Sequence, residues 1–182
     1  MALAIIPQVN HSIVNEGKLF PYHANNIIYT YNNSLEEEGY KIITSKEGIV
    51  VEYAKERGKF YGQKTLEQLF LIYPHEIPEM TIHDYPQYPH RGFMIDSCRH
   101  FFSISEIKKQ IEIMALVKMN VFHWHLSDDQ GWRIEIKKYP KLTTQGSLRK
   151  QTRGDGKEVS GYYTQEQIKE IIEFCQERYI DV

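Results

Sequence analysis

Two cysteines are all that the 182 residues contain, and Cys98 and Cys175 stand far apart, neither in a CxxC or other metal-like spacing. They imply no disulfide framework and no cysteine-based metal centre. A long hydrophobic run is also missing. The apolar stretch near the start, Ala2 to Ile6, has no basic residue before it. It is too short for the apolar region of a signal sequence or for a membrane span, which needs about 20 residues. No membrane partner is expected. Charge of one sign is absent as well: 22 Lys and Arg face 24 Asp and Glu, for a formal charge of −2. With neither a basic block to neutralise phosphates nor an acidic tail, nucleic acid is not an expected partner.

What is present is the balance of an ordinary globular protein: 41% hydrophobic residues, 25% charged, 11 Gly and 7 Pro, which excludes disorder and collagen-like repeats. The length allows one domain or two small ones. The unusual count is 13 Tyr with 8 Phe and 2 Trp. Such richness suits core packing first, and also sites that stack flat ligands such as sugars.

The first half reads as short strands followed by one helix. Ile27 to Tyr31, Tyr40 to Thr44 and Ile49 to Tyr53 are β-branched and aromatic runs. The last two are joined by Ser45-Lys46-Glu47-Gly48, where Gly48 can take the positive φ of a hairpin loop. An antiparallel meander is expected. Tyr61, Leu66, Leu69, Phe70 and Ile72 then recur with helical spacing and stop before Pro74. From Tyr73 to Pro89 the chain carries four prolines and no sustained periodicity, the mark of a linker between domains. The expected organisation is a small α+β domain over 1–85 and a second domain over 86–182.

The second half alternates. Gly92-Phe93-Met94-Ile95 is a short apolar strand of the kind buried on both faces in a parallel sheet. Ser103-Ile104-Ser105-Glu106 is a capping box, after which Ile104, Ile107, Ile111, Met114 and Ala115 mark one helix face. Val121 to Leu126 is the next strand. A polar stretch from Lys141 to Gly161, broken by Gly146, Gly154 and Gly156, leads to a second helix capped by Thr164 with Gln167. Its inner face is drawn by Ile168, Ile171, Ile172 and Cys175, and Tyr179 to Val182 begins another strand. This order is that of a parallel α/β fold that stops at its third strand. A (β/α)₈ barrel needs roughly 250 residues, so the expected class is α/β, the first βα units of such a barrel behind an α+β domain. An open last strand makes self-association through the barrel edge an expectation.

Two clusters fall at the C-terminal ends of these strands, where α/β barrels hold their active sites: Asp96-Ser97-Cys98-Arg99-His100 and His123 through Trp132. Arg99 beside a carboxylate offers a fixed fork of donors that suits sugar hydroxyls or a carboxylate ligand. A structural salt bridge to Asp96 or Asp128 is the other reading. His123 and His125 alternate by two and so share one face of their strand. They could hold a metal with Asp128 or Asp129, or fill a polar layer as hydrogen-bonded imidazoles. Of the adjacent pair Asp128-Asp129, one is expected to face the site and the other to cap the following loop.

Taken together, Arg91-Gly92-Phe93-Met94-Ile95-Asp96-Ser97-Cys98-Arg99-His100-Phe101-Phe102 and Lys118 through Arg133, with its core His123-Trp124-His125-Leu126-Ser127-Asp128-Asp129-Gln130-Gly131-Trp132, resemble the start of the catalytic barrel of glycoside hydrolase family 20, the β-N-acetylhexosaminidases. Gly161-Tyr162-Tyr163-Thr164 and Gly58 through Leu66 are similar to further family segments, so the resemblance runs from about Glu38 onward. It implies a truncated (β/α)₈ TIM barrel, removal of terminal β-linked N-acetylglucosamine or N-acetylgalactosamine with retention, and no cofactor or catalytic metal. In this family the substrate's own 2-acetamido oxygen is the nucleophile. Residue by residue, Arg99 resembles the arginine that grips ring hydroxyls. Asp128 resembles the aspartate that, with a histidine, supports the acid/base glutamate. The family's catalytic Asp-Glu pair follows the fourth strand and so would lie beyond Val182, which implies an isolated chain without activity. Trp124 and Trp132 belong to the second-strand motif and read as packing residues rather than as walls of a sugar pocket.

Overall fold

The computed structural model describes residues 3–23, 26–150, 156 and 158–182, and so leaves Gly154 of the polar stretch outside the described residues. The chain forms two units: residues 1–89 with 116–118, and residues 90–115 with 119–182.

In the first unit the hairpin read from the sequence is present. Strand β3 (Tyr40–Ser45) turns through Gly48, whose φ is +129°, into β4 (Gly48–Tyr53), and the pair is antiparallel with Ile42 opposite Val51. Alternation puts Tyr40, Ile42 and Thr44 on the buried face while Lys41, Ile43 and Ser45 point away. Two features differ from the expectation. First, β2 (Ile27–Tyr31) pairs with β4 in parallel, so the sheet is not a simple meander. Second, the stretch read as a linker contains β5 (Glu76–Asp84), which lies between β3 and β1 (His11–Pro21) in a five-stranded sheet of order β1-β5-β3-β4-β2.

The prolines that hid β5 sit where a ladder tolerates them. Pro78 has no N–H to give. It falls beyond the last β3–β5 pair, Thr44 opposite Met80, and beside the irregularity of β1 between Asn15 and Leu19. Thr44 bridges the place, its hydroxyl donating to Pro78 O and accepting from Met80 N. Past Pro78, Met80, Ile82 and Asp84 alternate inward.

Helix α1 (Glu56–Ile72) packs Tyr61, Leu66 and Leu69 against Tyr40, Ile42, Ile49, Val51, Ile77 and Ile82. Each fully buried Leu or Ile contributes roughly 1.5–3 kcal/mol. The helix lies this close because Gly58 and Gly62 face the sheet side: a Cβ on Gly58 would run into Gly39 O, and one on Gly62 would press on Val51 Cγ1.

In the second unit β6 (Gly92–Asp96) and β7 (Val121–His125) pair in parallel, Met94 opposite His123 and Asp96 opposite His125. The expectation of a strand buried on both faces fails for β6, where Phe93 is 39% and Met94 48% exposed. Among the described residues β7 is its one strand neighbour, so the other edge has no strand to cover it. Helix α2 (Ile104–Leu116) begins with the anticipated cap, Ser103 N donating to Glu106 Oε2 at 2.7 Å, and buries Ile107, Ile111, Met114 and Ala115. A two-residue hairpin, β8 (Ser127–Asp128) and β9 (Gly131–Trp132), follows β7, then a single helical turn α3 (Lys141–Thr144). Helix α4 (Gln165–Gln176) carries the full Thr164–Gln167 capping box and buries Ile171 and Cys175, whereas Ile172 is exposed. The run from Tyr179 adds one parallel bridge, Asp181 to Val121. Both cysteines are buried free thiols. No helix among the described residues is long and apolar enough to cross a membrane.

Candidate active site

The parallel register of β6 and β7 determines what meets at their C-terminal ends. Asp96 ends β6 directly opposite His125, which ends β7. Beyond Asp96 the chain makes a tight turn in which Asp96 Oδ1 accepts the backbone N–H of Cys98 at 3.0 Å and of Arg99 at 3.1 Å. This local bond returns the Arg99 side chain over its own carboxylate, and Arg99 Nη1 donates to Asp96 Oδ2 at 2.7 Å.

From the other strand comes a matching set. Arg99 Nη2 lies 2.8 Å from Asp128 Oδ2, and Arg99 Nε donates to Gln130 Oε1 at 3.0 Å. Asp128 Oδ2 is also 2.9 Å from His125 Nε2, while Asp128 Oδ1 accepts Asp129 N at 2.8 Å. All three guanidinium nitrogens are therefore held by acceptors from two different strand ends. The salt-bridge reading and the binding reading of Arg99 are not exclusive, because the bridges fix the fork in one orientation.

The electrostatics follow the contacts. The His125 hydrogen bond, the Asp129 N–H and the Arg99 charge together hold the Asp128 carboxyl down at about 2. Burial pushes Asp96 upward, but its bonds from Arg99 and Cys98 outweigh that and leave it below the ordinary value. Arg99 is held more firmly protonated by the Asp96 bond and then by Asp128. The site is thus an ionised Asp–Arg–Asp cluster.

His123 and His125 do share a side of β7, with ring centroids 6.0 Å apart. The trio whose ligand atoms converge is a different one, Asp96, Cys98 and His125, within 4.8 Å of one another. Each of the three is already engaged within the cluster. Burial and then the Asp96 charge push the Cys98 thiol up to about 11, so it is a neutral thiol that donates to His125 O. Asp96 already accepts from Arg99, and His125 Nε2–H donates to the ionised Asp128 carboxylate.

Trp124 is buried, its Nε1 donating to Ser97 Oγ and its ring 4.5 Å from that of Tyr163, a packing position. Trp132 Nε1 donates to Ile134 O. Two residues that sequence reasoning did not single out belong to the site: Gln130, the third acceptor on Arg99, and Arg133, which is fully buried behind the Asp96–Arg99 turn. A signal for Arg133 was present in Gly131, since a Cβ there would stand 2.8 Å from Arg133 Nη2.

Known proteins place this geometry. The model of "Glycosyl hydrolase family 20, domain 2" matches residues 8–85 and that of "Glycosyl hydrolase family 20, catalytic domain" matches residues 88–182. A beta-hexosaminidase of Porphyromonas gingivalis is 48% identical over 81% of this chain and 20% of its own length. One from Akkermansia muciniphila is 39% identical over 82% of this chain and 31% of its own. Among solved structures, a beta-N-acetylhexosaminidase superposes with a TM-score of 0.89 at 34% identity, covering 100% of this chain and 39% of that one. A family 20 exo beta-N-acetylglucosaminidase from Vibrio harveyi, in complex with N-acetylglucosamine, gives 0.85 at 28% identity over 99% of this chain and 36% of that one. The chain therefore spans about a fifth to two fifths of the length of these relatives, and it belongs to glycosyl hydrolase family 20.

Proposed function

We propose that this chain is the part of an exo-β-N-acetylhexosaminidase that carries a small α+β domain and the first βα units of the catalytic (β/α)₈ barrel. The barrel is divided from that domain near residue 85 and runs to its third strand at the end of this sequence. The reaction of the whole enzyme is hydrolysis of terminal β-linked N-acetylglucosamine or N-acetylgalactosamine, with the substrate's 2-acetamido oxygen as the nucleophile and no cofactor. Arg99 binds ring hydroxyls of the terminal sugar. Asp128 supports the acid/base glutamate together with a histidine that the family resemblance places after the third strand, a residue other than His125, and it holds Arg99 in place. The observation that carries this reading is the Arg99 fork, fixed by Asp96, Asp128 and Gln130 at the C-terminal ends of two parallel strands.

The acid/base pair of the reaction lies outside these residues, so the 182-residue chain by itself binds no substrate productively. Purified chain is expected to release no chromophore from an aryl β-N-acetylglucosaminide under conditions where a full-length relative does. Turnover by the pure chain refutes that placement. The functional roles are tested in a chimera that carries residues 1–182 in place of the matching segment of the relative. It should hydrolyse the same substrate, and Arg99→Ala should lower kcat/KM roughly 10- to 150-fold, the loss of one charged hydrogen bond of about 1.5–3 kcal/mol. Binding of N-acetylglucosamine by the isolated chain, abolished by Arg99→Ala, would instead identify a non-catalytic carbohydrate-binding module. Stoichiometric zinc, lost on replacing His123 and His125, would instead identify a metal-dependent barrel hydrolase.

The exposed Phe93 and Met94 on the open edge of β6 support self-association of the isolated chain. Sedimentation as a 21.6 kDa monomer at high concentration would end that idea.

A further inference from the structure

Arg133 is wholly buried and has no carboxylate partner among the described residues; its guanidinium is spent on backbone carbonyls. Nε donates to Ser97 O at 2.9 Å and Nη2 to Cys98 O at 2.9 Å. Nη1 donates to Ser147 O at 2.6 Å and to Gly161 O at 2.8 Å. Four of the five N–H groups of an arginine are thus accounted for.

A buried cation without a counter-ion is costly, and these dipoles are what offsets the cost. Burial lowers its tendency to stay protonated, and the nearby Asp96 charge offsets this only in part. The neighbourhood is shaped to admit it. Gly131 leaves the space through which the guanidinium passes, and the Phe101 ring covers it at 5.8 Å.

Two of the four carbonyls, Ser97 O and Cys98 O, belong to the turn that separates Asp96 from Arg99. The front of that turn is held by Asp96 Oδ1, and its Ser97 N–H donates to His125 O at 3.1 Å. The other two carbonyls come from the loops that precede and follow the bridge between Arg149 and Val159.

We infer that Arg133 is a positioning residue for sugar binding: by clamping Ser97 O and Cys98 O it fixes the turn that aims Arg99 across to Asp128 and Gln130. The inference rests on the proposed role of Arg99. A lysine cannot replace it, because one ammonium lacks the planar fork that reaches carbonyls on both sides.

The test uses the 182-residue chain and side-chain ¹H–¹⁵N spectra, with no sugar present. In Arg133→Lys the amide spectrum should stay dispersed, while exchange of Arg99 Nε–H becomes about tenfold faster as the Gln130 and Asp128 contacts loosen. A residue that only stabilises the fold would lower the urea midpoint and leave that exchange unchanged, and this result overturns the inference. Should the variant not fold, native-state exchange of the unaltered chain decides. The Cys98 and Arg99 amides should then open together with Arg133 Nε–H, with one common dependence on urea. Opening of the turn with Arg133 Nε–H still protected overturns the inference. A wild-type chimera that never hydrolyses an N-acetylhexosaminide defeats the proposed function alone, since neither exchange readout involves sugar.

Discussion

Lys118 gives a prediction in which two physical effects oppose each other and their sizes decide. It sits just after α2 with φ of +60°, a left-handed conformation in which glycine is the usual residue. Relieving that conformation by Lys118→Gly should stabilise by roughly 1 kcal/mol. Yet the lysine ammonium lies 2.8 Å from Asp84 Oδ2 and 2.7 Å from Tyr40 OH, with the two charged side chains only 7% and 10% exposed. Tyr40 OH in turn donates to Asp84 Oδ2 at 2.6 Å and lies 2.5 Å from Thr65 Oγ1. Removing one partner of such a pair leaves a buried charge uncompensated, a loss of about 3–5 kcal/mol. The net expectation is that Lys118→Gly destabilises by about 2–4 kcal/mol despite its better backbone fit.

Both tryptophans, Trp124 and Trp132, lie in the other unit, so their fluorescence is the wrong probe. Hydrogen exchange of the paired β3 and β5 amides, such as those of Ile42 and Ile82, reads the first unit directly. Exchange in Lys118→Gly as slow as in the parent, or slower, would refute the reasoning, because it would mean that the ammonium contributes nothing net. A control removes both charges: Lys118→Met with Asp84→Leu should recover most of the loss, since an apolar pair leaves no orphaned ion.

Asp128 should titrate with a midpoint of about 2 by carboxyl ¹³C shifts. Its folded value is lowered, so the stability from its contacts is present above the unfolded value of 3.8 and is lost as the pH falls through 2. In His125→Phe the midpoint should rise toward 3.8, because the largest cause is removed, and an unmoved midpoint would discard that assignment. Gly58→Ala is expected to destabilise the first unit, although the same change in an open helix interior stabilises by roughly 1 kcal/mol, since its Cβ meets Gly39 O. Slower exchange in β3 would show that the close approach is not a constraint. Gly161→Ala should lower the thermal midpoint of the second unit, read by tryptophan fluorescence, because φ is +138° and a Cβ would stand 2.6 Å from the Phe101 ring. An unchanged midpoint would contradict that geometry.

The parts of the fold legible in the sequence are those specified locally. The hairpin through Gly48, the Ser103 and Thr164 caps and the two amphipathic helices each announce themselves within a few residues. Strand β5 was hidden because Pro74 and Pro78 dominate its start, while its alternation of Met80, Ile82 and Asp84 places a carboxylate on the buried face. That carboxylate makes sense only with Lys118, 34 residues away, which no local pattern reveals. β1 was missed for another reason: most of its length is exposed, so it has little hydrophobic alternation to read. The parallel pairing of β2 with β4 is equally invisible, because the same residues would serve an antiparallel partner.

The site shows the same division at smaller scale. Asp96, Arg99, His125 and Asp128 stand out by residue type, but the sequence offers several ways of joining them, including a metal centre. What selects among these is register. With Asp96 opposite His125, the turn after β6 and the hairpin after β7 start level, and Arg99 can span from one carboxylate to the other. A shift of one residue would turn Asp96 to the other face of the sheet and leave Arg99 with a single acceptor strand. Register here depends on side chains as well as on the ladder. The face of β7 that carries Phe122 and Trp124 is buried, and Trp124 shares the Ser97 hydroxyl with Tyr163. A slip would have to expose both rings and break that shared bond. The packing that looks remote from chemistry is therefore what holds the two halves of the Arg99 clamp level with each other.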